Sequence, residues 1–362
     1  MKRYILIVAA AAIAAVSCSR NYDVNPTGEG AEIGFGTWAE NLTKAISDPR
    51  TPGSNEFGVG DSFAVYGYKE TSSGKSTVFD DVAVEMTVAG TPQTWTYSPT
   101  RYWDPASTSY TFFAVSPAAI GTAATVNAET GEITSASITF AGNDNDILVA
   151  DKKEVTPTGT PAVYAASPVE LVFNHIASLV DFKVDKDANL GNATLAIKSF
   201  SISNIDKIGT FGVSDAYTSS HPVVTWNCDN SAVANLGTYT NTSGVTSVAT
   251  LPTNVASISG AEFLINHLVA MPQTFRTTGN KQTVNIEYTI TDEASNVSTY
   301  TKSFDLKLFD DVDDRDNEDT IIAGWEAGKH YTFIITIDAN KIDFSAKITN
   351  WTTETGYNYL LN

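Results

Sequence analysis

Short runs in which apolar and polar residues alternate recur along this chain of 362 residues, and they constrain its fold more than any other feature. Successive side chains of a β-strand point to opposite faces, so a period of two predicts a strand with one buried face. Clusters of turn-forming residues separate the runs. The pattern predicts an all-β fold of antiparallel β-sandwiches, with strands at residues 62–68, 93–98, 110–116, 133–140, 168–173, 179–185, 194–203, 261–271, 281–292, 298–309, 330–338 and 341–351.

Length favours two sandwich domains in tandem. A mature chain of about 345 residues exceeds what one hydrophobic core usually fills. We predict a boundary near residue 188, which gives an N-terminal domain at residues 31–188 and a C-terminal domain at residues 189–362. A weak sequence similarity between the two halves agrees with this division, because Trp103 precedes a YTFF run and Trp325 precedes a YTFI run.

The charge balance is strongly acidic. The chain has 41 Asp and Glu residues against 22 Lys and Arg residues, for a net charge of -19. Nucleic-acid binding depends on basic side chains that displace counterions from phosphates, so we predict no nucleic-acid partner. An acidic surface instead favours solubility.

The N-terminal residues have the features of a secretory signal peptide. Lys2 and Arg3 form a basic head, and the apolar stretch at residues 4–16 follows directly. This stretch is too short to span a bilayer, which requires roughly 20 apolar residues. We therefore predict a signal peptide at residues 1–17.

Cys18 follows this signal in the sequence Ala-Val-Ser-Cys, which resembles the lipobox of bacterial lipoproteins although the leucine of its first position is missing. The resemblance implies that Cys18 is acylated, becomes the first mature residue and anchors the protein to the outer membrane, with residues 18–30 as a lipidated linker. An ordinary signal with a chance cysteine is the alternative. With Cys18 acylated, Cys228 is the remaining thiol, so an intramolecular disulfide cannot form.

Two fragments superficially suggest catalysis or phosphate binding. The GDSF sequence at residues 60–63 lacks a late Asp-x-x-His partner, and Ser62 begins a predicted strand. The SSGKST sequence at residues 72–77 lacks the first glycine of a phosphate loop, so we interpret it as a polar turn. The sequence thus predicts neither an enzyme nor a cofactor.

Metal binding has equally weak support. The acidic residues 310–319 lack the glycine and the twelfth-position Glu of an EF-hand, which favours a solvated loop; a structural calcium site is the alternative. We predict packed or hydrogen-bonded side chains rather than zinc ligands for the four histidines, which lie far apart in sequence: His175, His221, His267 and His330.

Several stretches, in order and combination, resemble the fimbrillins of Bacteroidetes and their Mfa-like lipoprotein relatives, the subunits of type V pili. They are NLTKA, FAVYGY, YSPTRYWDPASTSYTFFAVSP, DILVAD, VELVFNHIASLVDFKV, LVAMPQTF and WEAGKHYTFIITIDANKIDFSAKITNW. The resemblance implies two transthyretin-like β-sandwich domains. It also implies assembly by strand exchange, in which an Arg-specific protease removes the first strand and another subunit's terminal strand fills the groove.

The resemblance points to specific residues near the start of the mature chain. The alternating run at residues 31–38 places Ile33 and Phe35 on one face and is a plausible removable first strand. Arg50, followed by Thr51, is the arginine whose cleavage would release it, in a loop that contains Pro49, Pro52 and Gly53. The alternative is that Arg50 is an ordinary loop cation.

The C-terminal tail at residues 352–362 has the alternation that a donor strand would need. Thr355, Tyr357, Tyr359 and Leu361 share one face. Strand addition combines main-chain hydrogen bonds with pockets for alternate side chains. The alternative is that the tail pairs within its own domain.

These observations predict a structural fimbrial subunit or fimbrillin-like surface lipoprotein that contributes to cell adhesion, with other fimbrial subunits as partners. The alternative is a tip adhesin or glycan-binding surface lipoprotein that does not polymerise. Its aromatic platform would consist of Trp95, Tyr97, Tyr102 and Trp103, although aromatic residues in strands usually fill a sandwich core.

Overall fold

The computed structural model of the chain describes most residues between Ala31 and Asn350. The described ranges are 31–37, 57–89, 93–127, 130–140, 146–158, 164, 168–214, 222–241, 244–245, 247–248, 262–308, 310–311, 320–338 and 342–350. Within them, strands predominate and the α-helix α1 spans Ala118–Thr122. The all-β prediction is confirmed. No helix in these ranges is both long and apolar enough to cross a membrane.

The first half of the chain contributes twelve of the described strands. They are β1 (Phe35–Thr37), β2 (Ser62–Thr71), β3 (Gly74–Val88), β4 (Thr94–Thr96), β5 (Ser109–Ser116), β6 (Thr125–Val126), β7 (Ile133–Thr134), β8 (Ile138–Thr139), β9 (Leu148–Ala150), β10 (Lys153–Val155), β11 (Val169–Leu171) and β12 (Phe173–His175).

The remaining described strands follow from Ser178 onward. They are β13 (Ser178–Lys186), β14 (Thr194–Asp206), β15 (Ile208–Val213), β16 (Val224–Cys228), β17 (Leu236–Asn241), β18 (Glu262–Ala270), β19 (Gln273–Thr274), β20 (Thr283–Thr291), β21 (Val297–Asp305), β22 (Asp310–Asp311), β23 (Thr320–Ile321), β24 (Gly324–Trp325), β25 (Lys329–Ile337) and β26 (Ile342–Asn350).

A seven-stranded sheet in the order β12-β9-β5-β2-β3-β4, with β10 also paired to β5, organises the first half. Its central strand β2 is buried on both faces, and its side chains alternate between two cores. Phe63 and Val65 point into one core, which we call the first core, whereas Tyr66 and Tyr68 point into a second one, the middle core.

The first core is rich in aromatic residues. Its buried members are Ile33, Phe35, Phe57, Phe63, Val65, Phe79, Val84, Met86, Trp95, Trp103, Tyr110, Phe112, Ala114, Leu148, Ala150, Tyr164, Val169, Leu171 and Phe173. Gly67 in β2 lies against this core, since a Cβ atom at that position would come within 2.9 Å of Phe79 and 3.0 Å of Phe112. The glycine of the FAVYGY stretch therefore leaves room for two core rings.

A sandwich of two sheets forms most of the second half. The sheet β18-β13-β25-β26-β22-β23 faces the sheet β17-β14-β20-β21. Phe182 lies between them, with ring-centroid distances of 5.3 Å to Phe200 and 4.8 Å to Phe333. These residues belong to a separate hydrophobic cluster, the second core.

The middle core joins the halves. It packs the second face of the seven-stranded sheet against a five-stranded sheet in the order β16-β15-β7-β6, with β8 also paired to β15. This five-stranded sheet combines strands from both predicted domains. The division at residue 188 stays a prediction; the structure places Ser178–Lys186, which precedes it, in a sheet with β18 and β25.

Most strand pairs are antiparallel, as predicted, but three pairs are parallel: β1–β11, β13–β25 and β22–β26. Parallel pairing requires a long crossover connection, which local alternation does not reveal. Ser62 begins β2, as predicted. The polar turn predicted at residues 72–77 is shorter in the structure: residues 72–73 form the turn of the β2–β3 hairpin, and residues 74–77 already belong to β3.

Candidate functional site

The N-terminal segment at residues 31–37 fills a gap in the first core and pairs with the protein on both of its edges. On one edge the Ile33 amide donates a 2.9 Å hydrogen bond to the Arg101 carbonyl, and the Trp103 amide donates a 2.9 Å bond to the Ala31 carbonyl. Pairing on this edge is antiparallel. The segment therefore has a defined register rather than a loose surface contact.

The other edge pairs with β11 in a parallel arrangement. Phe35 lies opposite Val169, and Thr37 lies opposite Leu171. The Val169 amide donates a 2.8 Å hydrogen bond to the Gly34 carbonyl. Residues 31–37 are thus an inserted strand between two parts of the chain that are distant in sequence.

The side chains of the segment alternate as the sequence predicts. Ile33 and Phe35 are buried, at 0% and 5% exposure, whereas Glu32 is exposed. Burial of two such apolar side chains contributes roughly 3–6 kcal/mol. Ile33 and Phe35 thus share the buried face of the segment; their role as a removable first strand stays a prediction.

Four rings surround Phe35. Centroid distances are 5.3 Å to Phe79, 5.6 Å to Tyr97, 5.9 Å to Phe112 and 6.2 Å to Phe63, all in edge-to-face geometry. Such pairs stabilise beyond area burial alone. We call these four rings, with the backbone of residues 101–103 and 168–171, the first-strand groove.

Tyr97 connects the groove to the strand through a polar contact. Its hydroxyl donates a 2.6 Å hydrogen bond to the Ile33 carbonyl and accepts a 3.2 Å bond from the Arg101 amide. Burial raises the pKa of Tyr97 to about 12, so the phenol keeps its proton and remains a donor at physiological pH.

Without residues 31–37 the groove would have two deficits. The aromatic rings around Phe35 would face solvent, and backbone groups at Arg101 and Val169 would lose their partners. A strand with apolar side chains at alternate positions satisfies both deficits at once, since it supplies backbone hydrogen bonds and pocket-filling groups together. The groove can therefore accept a strand of that pattern.

The other sequence-predicted site residues lie outside the described residues. They are Cys18, Arg50, Thr51 and the donor-strand residues Thr355, Tyr357, Tyr359 and Leu361. Of the acidic run at residues 310–319, residues 312–319 also lie outside the described residues. Asp310 and Asp311 form β22 and pair with Thr320 and Ile321 of β23.

The aromatic platform of the alternative hypothesis is not a surface in this structure. Trp95 and Trp103 are buried, and Tyr97 is partly buried against the first core. Trp103 stacks on Tyr164 with a centroid distance of 4.6 Å. Tyr102 alone among the four is exposed, at 47%. The alternative hypothesis of a platform is wrong, because three of the four rings pack in or against the sandwich core, as aromatic residues on strands usually do.

Three histidines lie in the described part of the chain. His175 is buried and its Nδ1 atom contacts Asp146 Oδ2; burial raises the pKa of that carboxyl group. His330 is buried, with its Nε2 atom 2.9 Å from Asp181 Oδ2. The described residues contain no group of three or more His, Cys, Asp or Glu side chains placed to hold a metal ion.

Sequence reasoning missed the groove residues that lie far from the first strand. Arg101 and Val169 contribute backbone atoms, which carry no side-chain signal, and Tyr97 looked like a platform residue. The available signal for Gly67 was a glycine inside an alternating apolar run, which indicates a close approach of the strand backbone to its neighbours.

Fold and groove together define an all-β sandwich protein whose N-terminal strand completes its first core. The chain belongs to the fimbrillin-like family, because the family's sequence model matches residues 43–351. The match begins after the inserted strand. The comparison with curated proteins gave no match.

Three solved structures are similar to this chain at low sequence identity, and the first of them shares its fold. A fimbrial protein from Bacteroides vulgatus ATCC 8482 is 16% identical, with a TM-score of 0.54, and the match covers 89% of this chain and 99% of that one. A candidate cell adhesion protein from Bacteroides uniformis ATCC 8492 is 17% identical, with a TM-score of 0.41 and coverage of 86% and 97%. One from Parabacteroides distasonis ATCC 8503 is 10% identical, with a TM-score of 0.47 and coverage of 91% and 99%.

Proposed function

We propose that this protein is a structural subunit of a fimbrium at the cell surface, where it contributes to adhesion and performs no catalysis. Membership of the fimbrillin-like family supports a fimbrial role. The fimbrial protein from Bacteroides vulgatus has the same fold. Assembly proceeds by proteolytic removal of the first strand and its replacement by a strand from another subunit.

The observation that carries this proposal is the inserted strand at residues 31–37. It completes the first core through Ile33 and Phe35 and through backbone bonds on both edges. It also lies at the start of the described chain, upstream of Arg50. Cleavage after Arg50 would therefore break the covalent connection between this strand and the rest of the chain, and Thr51 would become the new first residue.

The C-terminal tail has enough length to replace this strand. Residues 352–362 would extend over about 36 Å at 3.3 Å per residue, whereas the seven residues of the inserted segment require about 23 Å. Thr355, Tyr357, Tyr359 and Leu361 would point into the groove of the next subunit. The aromatic lining of the groove suits the two tyrosines of this face.

Export and anchoring complete the proposal. The signal peptide directs the chain out of the cytoplasm, and acylated Cys18 holds it at the outer membrane until assembly. An Arg-specific protease then cuts after Arg50, which separates the lipid anchor and the first strand from the rest of the subunit.

The test is identification of the N-terminus of the protein by mass spectrometry, both in the outer-membrane fraction and in the fraction released from intact cells, with wild type compared with Arg50→Ala. We expect a mature start at Thr51 and high-mass polymer in wild type, and neither in Arg50→Ala. Arg20→Ala is the matched control, because cleavage after Arg20 would leave residues 31–37 attached. A single species that begins at acylated Cys18 in wild type would overturn the proposal.

A further inference from the structure

The connection between β4 and β5 forms one wall of the first-strand groove and contains Arg101. Residues 98–102 of this connection lie at the surface, where Tyr102 is 47% exposed and Arg101 is half-buried. Trp103, by contrast, is buried in the first core. Proteolysis concentrates in exposed connections, because a protease must bind several accessible residues of its substrate in an extended conformation.

The inserted strand holds the backbone groups on both sides of the peptide bond between Arg101 and Tyr102. The carbonyl oxygen of Arg101 accepts a 2.9 Å hydrogen bond from the Ile33 amide, and the Trp103 amide donates a 2.9 Å bond to the Ala31 carbonyl. A protease that forms an acyl intermediate places the carbonyl oxygen of the bond it cuts in an oxyanion hole, so that oxygen must be free. The inserted strand and a protease therefore compete for the same edge of this connection.

The side chain of Arg101 is held by a contact that is easily broken. Its Nε atom donates a 3.0 Å hydrogen bond to the Val78 carbonyl, and both residues are partly exposed. Such a bond contributes little, because water replaces it readily at the surface. The guanidinium group can therefore leave Val78 and enter the specificity pocket of an Arg-specific protease.

Arg276, the other arginine in the described part of the chain, is held far more firmly. Its guanidinium group forms an ion pair with the carboxylate of buried Asp206 and donates hydrogen bonds to the carbonyls of Asn204 and, at 2.7 Å, Asn280. These contacts belong to the second half of the chain and do not involve the inserted strand. Cleavage after Arg276 thus requires unfolding of the second half, whereas cleavage after Arg101 requires an open groove.

We propose that the peptide bond between Arg101 and Tyr102 is a second site for an Arg-specific protease, concealed while a strand fills the first-strand groove and accessible when the groove is empty. This inference rests on the proposed function, in which the first strand leaves and a strand of another subunit replaces it. Hydrolysis gives the hydroxyl of water to the Arg101 carbonyl carbon and its hydrogen to the Tyr102 nitrogen, which leaves a carboxylate and an amine. A subunit that loses its first strand and receives no replacement is then cut through the wall of its groove.

The test is digestion of the purified full chain with an Arg-specific endoprotease, followed by mass spectrometry of the products. Arg50→Ala keeps the first strand attached, and adding Phe35→Asp places a charge among the rings of the groove and displaces the strand. We expect cleavage after Arg101 to be at least about tenfold faster in the double variant, with no change after Arg276. Glu32→Ala in the Arg50→Ala chain is the matched control, because Glu32 is exposed, and it should keep the slow rate. A rate at Arg101 that stays equal, or that rises only as much as the rate at Arg276, would overturn the proposal.

A second measurement leaves the rest of the chain unaltered. After cleavage at Arg50, an added synthetic peptide of residues 29–40 should refill the groove and slow the cut after Arg101 by at least about tenfold, whereas the same peptide with Phe35→Asp should not. Equal rates with both peptides would overturn the inference.

The outcome is separable from that of the proposed function. Absence of a Thr51 start in cells would overturn strand removal there, while the protection of Arg101 by an attached strand would still hold in the purified chain. Equal cleavage of filled and empty grooves would overturn the concealed site and leave the fimbrial role in place.

Discussion

The hydroxyl of Tyr97 donates a 2.6 Å hydrogen bond to the carbonyl oxygen of Ile33, across 64 residues of sequence. The same ring lies 5.6 Å from the ring of Phe35. One side chain thus recognises the inserted strand through both its backbone and its apolar face. A groove with these two kinds of contact can hold its own strand stably and can also accept an incoming strand of the same pattern.

Tyr97→Phe removes the polar contact and keeps the ring. We expect the free energy of unfolding to fall by about 1 kcal/mol, because the Ile33 carbonyl loses its donor in a buried setting. Chemical denaturation measures this change. Tyr102→Phe is the control, since the Tyr102 side chain is exposed, and its stability should match wild type within about 0.5 kcal/mol.

Phe35→Ala removes the ring at the centre of the groove. The variant should lose about 3–5 kcal/mol of stability, because four neighbouring rings cannot collapse into the cavity. Glu32→Ala changes the exposed neighbour on the same segment and should have little effect. Equal denaturation midpoints for the two variants would show that the segment does not contribute to the first core.

Gly67→Ala tests the space between the strand β2 and the aromatic core. The added Cβ would come within 2.9 Å of Phe79 and 3.0 Å of Phe112, so both rings must shift. We expect a loss of about 1–3 kcal/mol, measured by thermal unfolding. Gly74→Ala is an informative comparison, because a Cβ there meets nothing within 4 Å, although its φ of 113° disfavours alanine. A larger effect at Gly67 than at Gly74 would identify overpacking as the cause.

The sequence predicted the strands and the buried face of the first segment because both depend on local alternation. Ile33 and Phe35 could be assigned to one face from their spacing alone. Their partners could not, because Val169 pairs in parallel from a distant part of the chain and Arg101 contributes only its carbonyl. Trp95 and Trp103 were open to two interpretations for a related reason: an aromatic residue on a strand looks the same whether its face is covered or exposed.

Substitution of Asp181, a buried residue on β13, tests how much a hydrogen-bonded buried carboxylate contributes to stability. The Asp181 Oδ2 atom lies 2.9 Å from the His330 Nε2 atom, and the Oδ1 atom accepts a 2.5 Å hydrogen bond from the backbone amide of His267, a residue with a φ of 53°. Asp181→Ala should cost about 3 kcal/mol of stability, since both donors lose their acceptor. Asp181→Asn keeps one carbonyl oxygen and should lie between wild type and alanine. Glu262→Ala, at an exposed position on β18, should be neutral; an equal loss there would contradict the role of burial.

Cys228, the last residue of β16, provides a chemical test of its partly buried environment. Burial, with the nearby carboxylate of Asp206, raises the pKa of its thiol to about 12, and the thiol donates a hydrogen bond to the Pro272 carbonyl. Since the thiolate is the reactive form, a Cys18→Ser variant should react with iodoacetamide at pH 8 roughly a thousandfold more slowly than an ordinary thiol.

The same pKa predicts a dependence of stability on pH. A pKa raised in the folded state contributes stability that is present in full below the thiol's ordinary value of 9.0 and is lost as the pH rises towards 12. We compare the Cys18→Ser chain, which keeps the Cys228 thiol, with a Cys18→Ser, Cys228→Ser double variant. Between pH 9 and pH 11, the free energy of unfolding of the chain with the thiol should fall relative to that of the double variant. A pH-independent difference, together with rapid alkylation of the folded chain at pH 8, would contradict a raised pKa for the partly buried thiol of Cys228.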